Sequence, residues 1–189
     1  RLLVVSGPPG SSVESLIGAG LTEITGPEKR TITVEGPAWQ LIPWASSLSL
    51  YSLGQNRNYG TALRTALRSE PDILGVKKLP DSEAVEAAVE AALAGALVIA
   101  GFNSRSALEA LRDLMNLAPN RFSLLQCLGL IVSTTRVRKL CDQCKISVEG
   151  ANWEAPGCGK CGGVGYSKSV LVGETLRISR AFSDMLLDG

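Results

Sequence analysis

Residues 1–17 read RLLVVSGPPGSSVESLI, and this stretch indicates the fold of the chain. Residues 2–6 are apolar except for Ser6, which is typical of a buried strand. Glycines and prolines fill residues 7–10, and Val13, Leu16 and Ile17 then recur at helical spacing. This order predicts a strand, a tight loop and a helix, the unit from which α/β domains are built.

The rest of the sequence repeats the alternation of strand and helix. Apolar runs predict strands at residues 30–34, 72–76 and 96–100, and helical spacing predicts helices at 61–68, 81–94 and 104–117. A loop is predicted from 36 to about 59, and a further helix from 121 to about 134. Near-continuous apolar strands between helices predict a mostly parallel sheet covered on both faces.

Composition restricts the function classes. The chain has 189 residues, 45% of them hydrophobic, which suits one main α/β domain with a small appendage. Nineteen lysines and arginines against 18 acidic residues give no charge excess that would favour nucleic acid, and we expect none as a partner. No apolar run is long enough to span a membrane. Because residue 1 already enters a strand without an initiator methionine, we expect further domains upstream.

Four of the five cysteines form two tight pairs. Cys141 and Cys144 enclose two residues, as do Cys158 and Cys161, and 13 residues separate the pairs. This spacing is typical of zinc, with a redox dithiol or iron as alternatives. Four protein ligands leave no open coordination position, so a structural role is expected, and cysteine used in this way suits the cytosol. We interpret Cys127 as a small core residue.

Several segments together resemble the ATPases of type II secretion and type IV pilus assembly. In family order they are GPPGSSVES (7–15), ITVEGPAWQ (32–40), ALRSEPDILGV (66–76), LAGALVIAGFNS (93–104), RVRKLCDQCK (136–145) and GCGKCGGVGYSKS (157–169). They look like the phosphate loop, acidic box, Walker B segment, histidine box and cysteine module. The resemblance implies a RecA-like core at 1–135, a zinc module at 136–170, and a strand and helix returning to the core at 171–189.

The phosphate loop departs from the family pattern G-x-x-x-x-G-K-[ST]. Gly7 and Gly10 remain, but Ser12, Val13 and Glu14 stand where the pattern has glycine, lysine and a hydroxyl residue. The Glu14 carboxylate would lie where the phosphates of a nucleotide bind. At about 4 Å and an effective dielectric near 20, one such pair of like charges costs about 4 kcal/mol. If nucleotide binding were retained, the resemblance assigns it to Gly7, Gly10, Ser11, Ser12 and Ser15.

Three further positions that carry chemistry in the family are altered. Lys77 and Lys78 stand where the Walker B strand ends in Gly-Glu, and Asn103 stands for the histidine of the histidine box. The acidic box keeps Glu35 as a candidate water-activating carboxylate but has Gly36 for the adjoining aspartate. Because phosphoryl transfer depends on positioning and electrostatic stabilisation, joint loss of these groups predicts that ATP with magnesium is neither bound nor hydrolysed.

The leading hypothesis is therefore a non-hydrolysing structural or regulatory subunit of a pilus or secretion machine. Two alternatives stay open: a weak ATP-binding motor with Glu35 as base, and a partner-binding adaptor that forms no ring. By resemblance we expect a hexameric ring with family subunits, on the cytoplasmic side of the inner membrane and docked on its platform proteins.

The altered cleft carries one further expectation. We expect Glu14 to form an ion pair with Lys78 in place of a magnesium bridge, with Lys77 as the alternative partner because neighbouring strand residues face opposite sides. Trp39 and Trp44 are interpreted as loop anchors rather than as part of the cleft or an interface. The basic residues at 136–139 and Lys160 are interpreted as a solvated face rather than as contacts to acidic lipid or protein.

Overall fold

A computed structural model describes residues 1–35, 41–54, 58–148, 150 and 152–188. It divides the chain into two compact units. The first comprises residues 1–134 and 173–189, and the second comprises residues 135–172. Among the described residues, no helix is both long and apolar enough to cross a membrane.

The first unit is built on a seven-stranded sheet. Its strands are β1 (Leu2–Ser6), β2 (Thr31–Glu35), β3 (Ala45–Ser49), β4 (Ile73–Val76), β5 (Leu97–Phe102), β6 (Leu128–Leu140) and β9 (Tyr166–Arg177). Two of these strands, β6 and β9, extend into residues 135–172. The order across the sheet is β3-β2-β4-β5-β1-β6-β9, and the pairs from β3 to β6 are parallel. The predicted α/β fold with a mostly parallel sheet is confirmed.

Helices cover both faces of this sheet. They are α1 (Val13–Ile24), α2 (Tyr59–Leu67), α3 (Ser82–Leu93), α4 (Ala107–Leu117), α5 (Arg121–Cys127) and α6 (Arg180–Asp188), with a short 3₁₀ helix at Leu50–Leu53. On β4, Leu74 and Val76 pack into the core with α2 and α3, whereas Ile73 packs with α1. This alternation follows from the two-residue period of a strand.

Helix starts follow capping chemistry that is visible in the sequence. Asp81 accepts a hydrogen bond from the Ala84 N–H at 2.9 Å and thereby caps α3. Asn58 caps α2 and Ser106 caps α4 in the same way. Glu174 of β9 adds an acceptor for the Ala107 N–H at 2.6 Å, a long-range contact that links β9 to the start of α4.

Two sequence predictions about elements are wrong. The helix predicted from 121 to about 134 ends at Cys127, because the following residues, which are apolar or β-branched, form β6 and pair with β1 in parallel register. The predicted loop after residue 36 contains β3. β3 is an edge strand with four polar or small residues among its five, so it lacks the apolar pattern of the buried strands.

The second unit contains the four cysteines of the two pairs. It includes a two-stranded antiparallel sheet of β7 (Ile146–Ser147) and β8 (Trp153–Glu154) and a 3₁₀ turn at Gly159–Cys161. Of its described hydrophobic side chains, Cys141 alone is buried. The described part of the unit therefore contains no hydrophobic core, which is typical of small domains held together by a metal or by disulfides.

Candidate functional site

The loop between β1 and α1 contains two residues in the left-handed backbone region. Gly10 has φ +86°, and a Cβ on Gly7 would overlap the side chain of Ser11 and the carbonyl oxygen of Thr134. Ser12 is also left-handed, with φ 66° and ψ 26°, at the position where the family pattern has glycine. Ser12 thus adopts a conformation that favours glycine, the residue that the family pattern has at this position.

Contacts at both ends hold this loop in place. The Gly7 N–H donates to the Phe102 carbonyl at 3.3 Å, and the Ser11 N–H donates to the Pro8 carbonyl at 3.1 Å. The hydroxyl of Thr134 on β6 lies 3.3 Å from the Ser6 carbonyl oxygen and 3.2 Å from that of Ser11. Sequence reasoning missed Thr134, because the residues around it were assigned to a helix.

A cleft of about 320 Å³ opens over the loop. It brings together all the loop residues proposed from the sequence with both lysines that follow β4 and with Asn103. The lining is Gly7, Pro8, Pro9, Gly10, Ser11, Ser12, Val13, Glu14, Ser15, Lys77, Lys78, Phe102 and Asn103. Its charged groups are one carboxylate and two ammonium groups, and Val13 supplies none where the family pattern has lysine.

Glu14 forms an ion pair in this cleft, and its partner is Lys77. The Lys77 ammonium nitrogen lies 3.1 Å from a Glu14 carboxylate oxygen, with side-chain exposures of 15% for Lys77 and 54% for Glu14. The sequence analysis preferred Lys78 as the partner of Glu14, and that prediction is wrong. Its ammonium nitrogen lies 6.0 Å from the ring centroid of Tyr59 on α2.

The phase of β4 explains this choice of lysine. Ile73 and Gly75 face α1, since Ile73 packs with α1 residues and a Cβ on Gly75 would meet Leu21. Lys77 continues this alternation and points towards the start of α1, where Glu14 lies. Lys78 continues the opposite face, which α2 and α3 cover.

Glu35, the candidate water-activating carboxylate, lies at the end of β2. It is buried, and the Ser47 hydroxyl on β3 donates a hydrogen bond to it. Glu35 is not among the residues that line the cleft. Gly36 and Trp39 lie outside the described residues, and Trp44 is exposed at the start of β3.

The four paired cysteines converge in the second unit. The sulfur atoms of Cys141, Cys144, Cys158 and Cys161 all lie within 4.8 Å of one another, and none forms a disulfide. Cys141 to Cys158 and Cys144 to Cys161 are each 3.9 Å between sulfurs, and Cys158 to Cys161 is 3.8 Å. Tetrahedral zinc with bonds of about 2.3 Å requires sulfurs about 3.8 Å apart. These four residues could therefore hold a metal ion.

Hydrogen bonds from the backbone and desolvation shift the pKa values of Cys141, Cys144 and Cys161 in different directions. Hydrogen bonding from the backbone of Cys158, at 3.1 Å, and from Gly165, at 3.3 Å, lowers the pKa of Cys161 to about 6. A hydrogen bond from the Gln143 backbone lowers the pKa of Cys141, whereas desolvation raises the pKa of Cys144 to about 12. Cys127 lies apart in the first unit, where burial raises its thiol pKa to about 11, so it is a core residue as predicted.

Comparison with known proteins identifies the family. The sequence model of the family described as "Type II/IV secretion system protein" matches residues 1–188. The chain belongs to this family.

The most similar curated relatives include members of both kinds of machine. "Type II secretion system protein HxcR" of Pseudomonas aeruginosa is 30% identical over 166 residues, covering 88% of this chain and 35% of the relative. "Type IV pilus assembly ATPase PilB" of Thermus thermophilus is 29% identical over 206 residues, covering 100% and 23%. The chain thus spans well under half the length of these relatives.

Two solved ATPase structures share the fold. The ATPase DotB of Legionella pneumophila matches with a TM-score of 0.73 at 19% identity, covering 100% of this chain and 48% of that one. The pilus retraction motor PilT, solved with bound ADP, matches with a TM-score of 0.73 at 22% identity, covering 99% and 50%. At this identity the likeness establishes the fold alone.

Proposed function

We propose that this chain is a non-hydrolysing structural or regulatory subunit of a type IV pilus assembly or type II secretion machine. One observation carries the proposal: the carboxylate of Glu14 lies in the phosphate-loop cleft and is paired at 3.1 Å with Lys77. A cation near the loop is thereby engaged by an internal anion. The family pattern instead places a hydroxyl residue at position 14 to bind magnesium.

The cleft has two ammonium groups and one carboxylate, but the charges at the loop itself disfavour a nucleotide. ATP with magnesium requires the loop lysine to neutralise its β- and γ-phosphates, and Val13 cannot do so. Glu14 adds a negative charge to the same surface, and its partial exposure weakens the repulsion without reversing its sign. Lys78 lines the cleft but cannot replace a magnesium ligand, because an ammonium group has no lone pair to donate to a metal.

Glu35 does not restore catalysis under this proposal. A general base must reach the attacking water at hydrogen-bond distance. Glu35 accepts a hydrogen bond from Ser47 and is not part of the cleft lining. The alternative, a weak motor with Glu35 as base, would require β2 and β3 to rearrange.

Isothermal calorimetry with ATP and magnesium tests the proposal directly. The wild-type chain should give no binding heat, whereas a repaired variant, Ser12→Gly with Val13→Lys and Glu14→Thr, should bind with micromolar affinity. The repaired variant is the matched control, because it shows that the loop backbone can still hold phosphates. Micromolar binding by the wild type would overturn the proposal in favour of the weak motor.

The second unit has a supporting role in this proposal. Zinc held by Cys141, Cys144, Cys158 and Cys161 would stabilise a segment that lacks a hydrophobic core, and its filled coordination would leave no position for a substrate. The zinc module then corresponds to residues 136–170, between a RecA-like core at 1–135 and a returning strand and helix at 171–189. These boundaries are part of the proposal.

Family membership supports a further part of the proposal, which concerns assembly. We place the subunit in a hexameric ring, with itself or with an active relative, on the cytoplasmic side of the inner membrane against its platform proteins. Light scattering of the full-length protein, alone and mixed with an active family ATPase, tests this assembly. A monomer under both conditions would favour the adaptor that forms no ring.

A further inference from the structure

The second unit exposes an unusual amount of apolar surface for its size. It contains about a fifth of the chain but half of the large apolar side chains that are exposed among the described residues. Ile146 and Trp153 are each 54% exposed, and Val164 is 64% exposed. Val170 and Leu171, adjacent on β9, are exposed as well. Sequence reasoning missed this concentration, because the residues are dispersed along the segment.

The hairpin of β7 and β8 presents apolar groups on both of its faces. Ile146 is opposite Glu154, and Ser147 is opposite Trp153. Because opposite residues of an antiparallel pair share a face and neighbours along a strand alternate, Ile146 and Trp153 lie on different faces. Each remains about half exposed, so neither face is covered within this unit.

Cations accompany these apolar groups. The ammonium nitrogen of Lys145 lies 5.9 Å from the ring centroid of Trp153. The neighbouring acid, Asp142, is paired with Lys139 at 3.1 Å and with Lys145 at 3.2 Å. Lys160 and Lys168 are exposed on the same unit. The sequence of residues 135–172 contains six basic and three acidic residues.

We propose that the cysteine unit docks on an anionic lipid bilayer through Ile146, Trp153 and Val164, with Lys160 and Lys168 contacting lipid headgroups. This proposal replaces the interpretation of Lys160 as part of a solvated face that the sequence alone favoured. Tryptophan and lysine beside aliphatic side chains suit the boundary between headgroups and acyl chains. The anionic headgroups complement the basic excess of the unit. This docking does not depend on nucleotide chemistry.

Co-sedimentation with vesicles tests the proposal. The metal-loaded full chain is mixed with neutral phosphatidylcholine vesicles and with vesicles that contain phosphatidylglycerol as well. Binding should occur on the anionic vesicles and weaken steeply as salt is raised, because the Debye length shrinks to about 3 Å at 1 M salt. Absence of binding to anionic vesicles at low salt overturns the proposal.

Fluorescence locates the contact. In a variant with Trp39→Phe and Trp44→Phe, Trp153 is the remaining tryptophan. Its emission should shift to shorter wavelength on anionic vesicles as the ring leaves water. An unshifted spectrum in protein that co-sediments would place the contact elsewhere and overturn the role of this surface.

Matched variants separate this surface from general stickiness. Lys160→Gln and Lys168→Gln should each lower the vesicle partition coefficient on the order of fivefold. Ile146→Ser should lower it by a similar or larger factor, whereas Leu108→Ser, at a side chain 65% exposed in the first unit, should leave it unchanged. Metal content and the circular dichroism spectrum verify that each variant is folded. Equal losses in the Ile146 and Leu108 variants, or vesicle binding replaced by saturable binding to an acidic protein of the machine, would contradict the proposal.

Discussion

At the scale of single residues, the loop between β1 and α1 combines a left-handed serine with a charged side chain in the cleft. Ser12 occupies the left-handed region, which costs a residue with a Cβ roughly 1 to 2 kcal/mol. Glu14 and Lys77 form the ion pair that stands where the family pattern predicts a bound metal. Both features lead to measurable consequences.

Ser12→Gly should stabilise the protein by about 0.5 to 1 kcal/mol, because relief of the left-handed strain exceeds the extra entropy of a glycine in the unfolded chain. The melting temperature should rise by about 1 to 3 °C in differential scanning calorimetry. Glu70→Gly, at another non-glycine residue with positive φ (48°) outside the cleft, is the matched control and should behave similarly. If Ser12→Ala, which keeps the strain, matches Ser12→Gly, the strain argument fails.

The pair of Glu14 and Lys77 should show weak but measurable coupling. A double-mutant cycle with Glu14→Gln and Lys77→Met should give a coupling free energy of about 0.2 to 1 kcal/mol in urea unfolding, because Glu14 is 54% exposed and the charges are screened. The parallel cycle with Lys78→Met should give none. Equal coupling to both lysines would contradict the assignment of Lys77.

The sequence predicted which segments contribute residues to the candidate site better than it predicted which side chains contact one another. The sequence sufficed to find the altered loop, Asn103 and the four cysteines, since each belongs to a motif with fixed spacing. It could not choose between Lys77 and Lys78, because that choice depends on which face of β4 meets α1. It also could not reveal that Ser47 contacts Glu35, because β3 lacks an apolar pattern.

At the scale of elements, local pattern and tertiary pairing disagree after Cys127. The pattern of residues 121–134 predicts a helix, but residues from Leu128 onwards pair in parallel with β1 and belong to the sheet. β-Branched residues such as Ile131 and Val132 suit this environment. Glu174 of β9 accepts a hydrogen bond from the Ala107 N–H in the first turn of α4. These residues are 67 positions apart in the chain, so no local sequence pattern predicts the contact.

Glu174→Ala should therefore destabilise the first unit by about 1 kcal/mol. The carboxylate accepts a hydrogen bond from the Ala107 N–H at 2.6 Å, and its negative charge interacts favourably with the positive end of the α4 dipole. Glu174→Gln keeps an acceptor without the charge and should lose less. Urea unfolding gives the free energies, and faster hydrogen exchange at the Ala107 amide localises the effect. An unchanged Ala107 amide would contradict this capping role.

At the scale of the whole molecule, the two units differ in what stabilises them. The first has a continuous core across the sheet, formed by residues such as Val4, Leu74 and Val98. The second has four converging thiols and an apolar exterior. Hydrophobic burial does not require a metal, whereas metal binding can supply the folding free energy of a small unit without a core.

Metal removal should therefore melt the second unit and spare the first. Metal analysis of freshly purified, reduced protein should give one zinc per chain, and a chelator or Cys158→Ser should remove it, because three thiolates no longer close the tetrahedron. Hydrogen exchange and proteolysis should then increase within residues 135–172, while the main calorimetric transition moves by only a few degrees, since the sheet core is unchanged.

Cys127→Ser is the matched control, because it removes a thiol from the first unit and should leave the zinc content at one. Protein that contains no zinc would contradict the metal assignment. Loss of the main transition on chelation would instead mean that the sheet depends on the metal, and the supporting role given to the second unit would be wrong.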